Sequence, residues 1–327
     1  MPQTTMRDAV RDALDQAMGA DDSIILFGED VAEFGGAFRV TKGLWEKYGS
    51  RRVRNTPISE GAIVGLAVGA AEVGLRPVAE IMFCDFLYDG MDQIANQLAK
   101  LKYMVGGQAV LPVVIRTTYG AGVSAAAQHS QSNEAVFLQI PGLKVAMPST
   151  PYDAKGLLTT ALRDRNPVLF FEHKCLYTKK GEVPAGEVVV PFGQCTIRKA
   201  GTDVTIVATG LMVDRSLEAA AVLEKEGVSA EVIDPRTLVP LDIQSILASV
   251  KKTGRLVVAH EAPEMCGFGA EVSAQVTERS FRDLKAPVFR VCGKNVPIPF
   301  APVLENAVIP GPEAIAAGAR AAAGYTG

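Results

Sequence analysis

Met6, Ala9, Val10, Ala13, Leu14, Ala17 and Met18 recur every three or four residues, so the pattern predicts an amphipathic helix at the start of the chain. The next apolar run, SIILFG (23–28), reads as a short buried strand. Beyond it, apolar and β-branched runs at 76–83, 110–118, 143–148 and 167–173 alternate with helical patterns over 59–73, 86–104 and 151–163. Strands separated by helices predict a mostly parallel sheet with helices on both faces.

The texture changes between the two halves. TKKGEVPAGEVVVPFGQCTIRKAGT is rich in Gly, Pro and charge and shows no helical period. The α/β alternation then resumes, with DVTIVATG, VSAEVIDPRTL, RLVVAHEA and APVFRVCG as strand runs and helical patterns at 211–226, 242–252 and 268–283. The expectation is two α/β domains, 1–180 and 203–327, joined by a linker at 181–202.

Composition narrows the function classes. At 327 residues the chain can bury two cores. A formal charge of −3 without long single-sign runs implies neither a nucleic acid nor an anionic membrane as partner. No apolar run approaches the length of a membrane span. Five widely spaced cysteines form no C-x-x-C pair, which favours a reducing compartment. The Asp-rich start lacks the apolar core of a signal peptide, so the expectation is a soluble cytoplasmic protein.

Most nucleotide and hydrolase motifs fail. YGAGVSA matches G-x-G-x-x-A at Gly120, Gly122 and Ala125, yet the next acidic residue, Glu134, comes too early for a ribose contact. There is no phosphate-binding P-loop, no G-x-S-x-G elbow and no pair at zinc-ligand spacing. Two features remain. NTPISEGAIVGLAVGAAEVG (55–74) is a turn and a helix of small apolar residues, with Ser59 as a natural N-cap and Glu60 in the first turn, where the helix dipole favours its charge. Gly65 and Gly69 cost helix propensity, so a second helix or a ligand approaches closely there. The other feature is AAAQHSQ (125–131), which sets His129 among side chains of little bulk.

Together with GEDVAEFGGAFRVTKGL (28–44), EIMFCDFLYDGMDQIANQLAK (80–100) and HEAPEMCGFGAEV (260–272), these stretches resemble the β subunits of thiamine-diphosphate-dependent dehydrogenases. These are the first components of the pyruvate, branched-chain 2-oxo acid and acetoin dehydrogenase complexes. YMVGG (103–107), RTTYGAG (116–122) and FFEHKCLY (170–177) look most like the acetoin members. The resemblance implies a transketolase-type pyrimidine-binding domain and a transketolase C-terminal domain. It further implies an α2β2 heterotetramer, with an α subunit supplying the magnesium and diphosphate motif, and a lipoyl acyltransferase as acceptor. A carboligase without a lipoyl partner, or a non-catalytic scaffold, are the alternatives.

The resemblance also assigns residues. Glu60 matches the carboxylate that bonds the cofactor's pyrimidine nitrogen. Phe86 falls where an aromatic ring lies against the pyrimidine, and Met82 at a neighbouring pocket position, although both read equally well as core residues. His129 matches the histidine that protonates the lipoyl sulfur during acyl transfer; a loop histidine bonded only to backbone is the bland alternative. Val113, Ala161, Leu162, Asp164 and Asn166 match positions that hold a potassium ion in relatives, largely through backbone carbonyls. Glu29 and Asp30 match acidic positions near the subunit interface. His173 and His260 end apolar runs and read as structural or interfacial.

Overall fold

Thr5 caps the first helix: its hydroxyl accepts the backbone N–H of Asp8 at 3.1 Å, satisfying one of the donors the first turn leaves open. That helix, Met6–Ala20, buries Met6, Ala9, Val10, Ala13, Leu14 and Met18 and leaves Ala17 half-buried, the stripe the apolar spacing predicts. The computed structural model describes residues 2–326. The chain forms two units: one from residues up to Tyr119 with Val136–Phe192, the other from Gly120–Ala135 with residues from Gly193 onward.

In the first unit β1 (Gln3–Thr5) pairs antiparallel with β8 (Lys180–Glu182). The remaining strands are β2 (Ile24–Gly28), β3 (Val53–Asn55), β4 (Arg76–Ile81), β5 (Val114–Tyr119), β6 (Lys144–Ala146) and β7 (Val168–His173). They run parallel in the order β6-β7-β5-β4-β2-β3. All six residues of β5 and all six of β7 are buried, as expected of central parallel strands covered on both faces. Helix Pro151–Arg163 packs against the first helix and opens on a Thr150 cap with proline in its first turn.

Two expectations change here. The pattern over 86–104 is not one helix. It breaks into a 3₁₀ turn (Cys84–Tyr88), a π-helical stretch (Gln93–Leu98) and a short helix (Leu101–Met104). Gly90 lies so close to helix Glu60–Glu72 that a β-carbon there would stand 3.1 Å from Val64 Cγ2, and Ala99 N–H reaches back five residues to Ile94. The second change concerns residues 120–135, expected within the first domain, which group with the second unit.

The second unit holds β9 (Thr196–Lys199), β10 (Val204–Ala208), β11 (Ala230–Asp234), β12 (Thr237–Val239), β13 (Leu256–Pro263) and β14 (Phe289–Gly293). Five of them form a sheet in the order β14-β13-β10-β11-β9, parallel except for β9. Ile206, Met212, Leu223, Val257 and Ile315 centre its core. The chain passes from one unit to the other after Phe192, inside the stretch expected as a linker, but that stretch also carries part of β8 and all of β9. No helix among the described residues is long and apolar enough to cross a membrane.

Candidate active site

In an open parallel sheet, ligands gather beyond the carboxyl ends of the strands, where turns and helix N-termini converge. In the first unit Gly28, Asn55 and Glu80 lie in one register row across β2, β3 and β4. Glu29 follows β2, Glu60 opens the helix after β3, and Met82 and Phe86 follow β4. Three of the four site residues expected for the cofactor thus leave the same edge of neighbouring strands. The fourth, His129, lies in the segment that continues from β5 and groups with the second unit.

Glu60 is the first residue of helix Glu60–Glu72 and is 9% exposed. Ser59 occupies the N-cap, but its side chain makes no capping bond. Asp89 does that work from a distance: its Oδ2 accepts the N–H of Gly61 at 3.0 Å. The Glu60 carboxylate has no hydrogen-bond donor or ion-pair partner among the described residues and is left to the little solvent that reaches it. Its charge is felt by another acid, Glu29. Burial first, then the charges of Glu60 and Asp30, hold the Glu29 carboxyl above its usual range. A group that could donate to one of these carboxylates would relieve both. Of the two glycines, Gly65 faces the Gln93 side chain, which a β-carbon at Gly65 would meet at 3.6 Å, whereas a β-carbon at Gly69 would meet nothing within 4 Å.

Phe86 sits in the 3₁₀ turn, half-buried, edge-on to Phe83 with ring centroids 5.9 Å apart. Phe83 in turn meets Phe38 edge-on at 5.7 Å. Met82 is half-buried, and its carbonyl accepts the Thr118 hydroxyl at 2.5 Å, tying the end of β4 to β5.

Beneath this edge lies a cluster that the sequence reading missed. The Arg116 guanidinium binds Glu172 through Nε and Nη2, both at 2.8 Å, and Glu80 through Nη1 at 2.6 Å. The Tyr177 hydroxyl donates to Glu172 at 2.7 Å. All of these side chains are buried. Burial raises the Glu80 carboxyl against the opposing pull of Arg116, and raises Tyr177 well above its usual range. The signal was available: a lone charge inside each of the runs EIMF, VVIRTT and LFFEH. Such charges persist in a core only when paired.

His129 is half-buried on a loop with left-handed backbone at Gly120, Gly122, Ser124 and Ala126. Ala121 N–H donates to Glu261, and Gly122 N–H donates to Glu305 Oε1 at 2.7 Å. These amides, which a dinucleotide phosphate would need, are taken by the protein's own carboxylates, so the G-x-G-x-x-A match is not a nucleotide site. His173 and His260 are fully buried. His173 Nδ1 accepts the Cys175 N–H, and His260 Nε2 lies 3.1 Å from Cys292 Sγ. Burial lowers the His260 pKa to about 4, which keeps that ring neutral.

The residues matched to a potassium site surround the turn after helix Pro151–Arg163. Arg76 donates to the Leu162 carbonyl through Nε at 3.1 Å and to the Asp164 carbonyl at 2.9 Å. The Ala161 carbonyl accepts Asp164 N–H, and that of Val113 accepts Val168 N–H. Asn166 Oδ1 accepts Lys102 at 2.9 Å, and Lys144 pairs with the Asp164 carboxylate. Arg76 Nη2 also donates to the Leu162 carbonyl, at 2.5 Å, so that oxygen accepts twice and a cation there would have to compete with the guanidinium.

Comparison with known proteins agrees with this geometry. Residues 2–180 match the family described as transketolase, pyrimidine binding domain, and residues 193–315 match transketolase, C-terminal domain. The β subunit of acetoin:2,6-dichlorophenolindophenol oxidoreductase from Cupriavidus necator is 52% identical over 95% of both chains. The pyruvate dehydrogenase E1 component β subunit of Bacillus subtilis is 46% identical over 92% of this chain and 93% of that one. Among solved structures, a split-gene transketolase described as an inactive β4 tetramer superposes with a TM-score of 0.80 at 26% identity, covering 97% of each chain.

Proposed function

Because this chain belongs to the β subunits of thiamine-diphosphate-dependent dehydrogenases, built from transketolase-type pyrimidine-binding and C-terminal domains, we propose that it acts with an α subunit to cleave acetoin and pass the acyl group to a lipoyl acyltransferase. The 52% identity to an acetoin oxidoreductase subunit, against 46% to a pyruvate dehydrogenase subunit, favours acetoin over pyruvate. The observation that carries the reading is the Glu60 carboxylate, buried at the strand-end edge with no donor among the described residues.

Thiamine diphosphate, when bound, supplies a thiazolium carbon that becomes nucleophilic once its own aminopyrimidine has been tautomerised. Glu60 would accept a hydrogen bond from the protonated pyrimidine nitrogen, which satisfies the carboxylate and favours that tautomer. Phe86 would give the pyrimidine an aromatic wall, with Met82 beside it. His129 would donate a proton to the departing lipoyl sulfur, the general-acid role that histidine most often fills.

The remaining parts belong to the same proposal. The sequence lacks the G-D-G…N motif, so the α subunit would bring the magnesium and diphosphate ligands in an α2β2 assembly. Val113, Ala161, Leu162, Asp164 and Asn166 would hold potassium, chiefly through carbonyl oxygens. No disulfide joins the cysteines among the described residues, which suits a cytoplasmic location.

Reconstitution tests this. The chain mixed with its α subunit, thiamine diphosphate and magnesium should reduce an artificial electron acceptor faster with acetoin than with pyruvate. The chain alone should bind the cofactor weakly by calorimetry. Turnover by the isolated chain, or none with either substrate in the mixture, would overturn the proposal.

A further inference from the structure

The loop that carries His129 is held in a conformation it would not choose alone. Ser124 and Ala126 have φ of 56° and 61°, a region that non-glycine residues keep only when their surroundings impose it. The imposing contacts come from two buried glutamates of the same unit. Glu261, on β13, accepts the Ala121 N–H. Glu305, in helix Pro302–Val308, accepts the Gly122 N–H at 2.7 Å and the Ser124 N–H at 3.3 and 3.1 Å to its two oxygens. Glu305 is 2% exposed and Glu261 6%.

Successive amides pointing into one concavity form the arrangement that elsewhere cradles an external anion. Here the anions are built in, and an N–H bond to a carboxylate is stronger than one to a neutral acceptor. The loop also closes on itself, since Gly120 N–H donates to the Gln131 carbonyl at 2.9 Å and His129 N–H to the Ala126 carbonyl at 3.4 Å. On its outer side Val123 and Gln128 are exposed. The inner amides are therefore fixed while the outer side faces solvent.

We propose that Glu261 and Glu305 are positioning residues for His129. By clamping the amides of Ala121, Gly122 and Ser124 they set the path of the loop, and so the place from which the imidazole acts, without touching substrate or cofactor. This rests on the reading of His129 as the proton donor in acyl transfer.

The test uses the reconstituted complex with Glu305→Ala, Glu305→Gln and His129→Ala. Hydrogen exchange over peptides covering 120–129 reads the clamp itself. The ratio of lipoyl-dependent turnover to turnover with an artificial electron acceptor reads its consequence, which a general loss of stability would not move. Glu305→Ala should speed exchange and lower the ratio about tenfold, less than the roughly 10²–10⁴-fold of a lost general acid because the imidazole itself is kept. Glu305→Gln keeps the size and one acceptor oxygen, so it should shift both readouts in the same direction by less. That variant also covers the case in which the alanine variant fails to assemble. Unchanged exchange in both Glu305 variants overturns the clamp. A ratio lowered by His129→Ala but not by the Glu305 variants overturns the positioning role alone. A ratio unmoved by His129→Ala overturns the reading of His129, and the positioning role with it.

Discussion

The carboxylates of Glu29 and Glu60 repel one another: burial, then the Glu60 charge, holds Glu29 above its usual pKa. The two residues follow adjacent parallel strands, so the sheet itself brings like charges together. Like-charge pairs of this kind are arranged at sites that manage protons or cationic partners. Removing one charge should release the other. In Glu60→Gln the Glu29 pKa should fall toward the ordinary carboxylate value, as read by titration of the 13C-labelled side-chain carboxyls. An unmoved Glu29 would mean that burial and Asp30 set its value without Glu60.

His129→Ala should separate two activities of the reconstituted complex. Turnover through the lipoyl acyltransferase should drop by about 10²-fold or more, the range of a lost general acid, while an artificial acceptor still supports much of the original rate. Equal losses would move His129 to an earlier step. No loss in either would leave it a loop histidine.

Glu134 offers a pH test. Its carboxyl is 1% exposed, Oε2 has no hydrogen-bond partner, and burial pushes its pKa from 4.5 up to about 7, with the Glu261 charge adding to the rise and its own backbone N–H opposing it. An acid raised on folding stabilises the fold fully below its unfolded value. The contribution is lost as pH rises from about 4.5 through about 7, because the unfolded chain releases its proton first. The span corresponds to roughly 3 kcal/mol at 1.36 kcal/mol per unit. Glu134→Gln removes the titration, so its melting temperature relative to the parent should improve between pH 5 and pH 8. A difference independent of pH would contradict this.

The cluster around Arg116 should behave as a unit. Arg116→Met leaves Glu80 and Glu172 buried without their cation and should cost about 3–5 kcal/mol in denaturant unfolding, the usual penalty for breaking a buried pair. Arg116→Lys keeps the charge but loses the forked geometry, so its loss should be smaller yet clear. A neutral outcome for Arg116→Met would show that the carboxylates simply take up protons.

Much of the fold was legible because apolar period and strand length report burial directly. The helix at 60–72 and strands β4 and β7 appear where the runs EGAIVGLAVGAAE, RPVAEI and VLFFEH predict them. What failed did so for tertiary reasons. The 86–104 pattern has helical spacing, but the run breaks into 3₁₀, π and α pieces around Gly90, which comes close to the neighbouring helix. β3, three residues long with two of them exposed, carries no period to read. Glu60 was visible as an acid at the head of a small-residue helix, whereas its repulsion with Glu29 depends on strand order, which no local pattern contains. Glu261 and Glu305 lie more than 130 residues from the amides they hold, and only the folded chain joins them.

The role of Glu60 can be read without any substrate. If Glu60 bonds the pyrimidine nitrogen as proposed, then in the complex of this chain with its α subunit, thiamine diphosphate and magnesium, its carboxylate sets the rate at which the proton on the thiazolium carbon exchanges with deuterium. Glu60→Gln keeps the side chain's shape and one acceptor oxygen but removes the carboxylate charge, and exchange should slow by about 10²-fold or more, the scale of lost acid–base assistance, with melting temperature little changed. Exchange as fast as in the parent complex would contradict the assignment and leave Glu60 a first-turn helix residue.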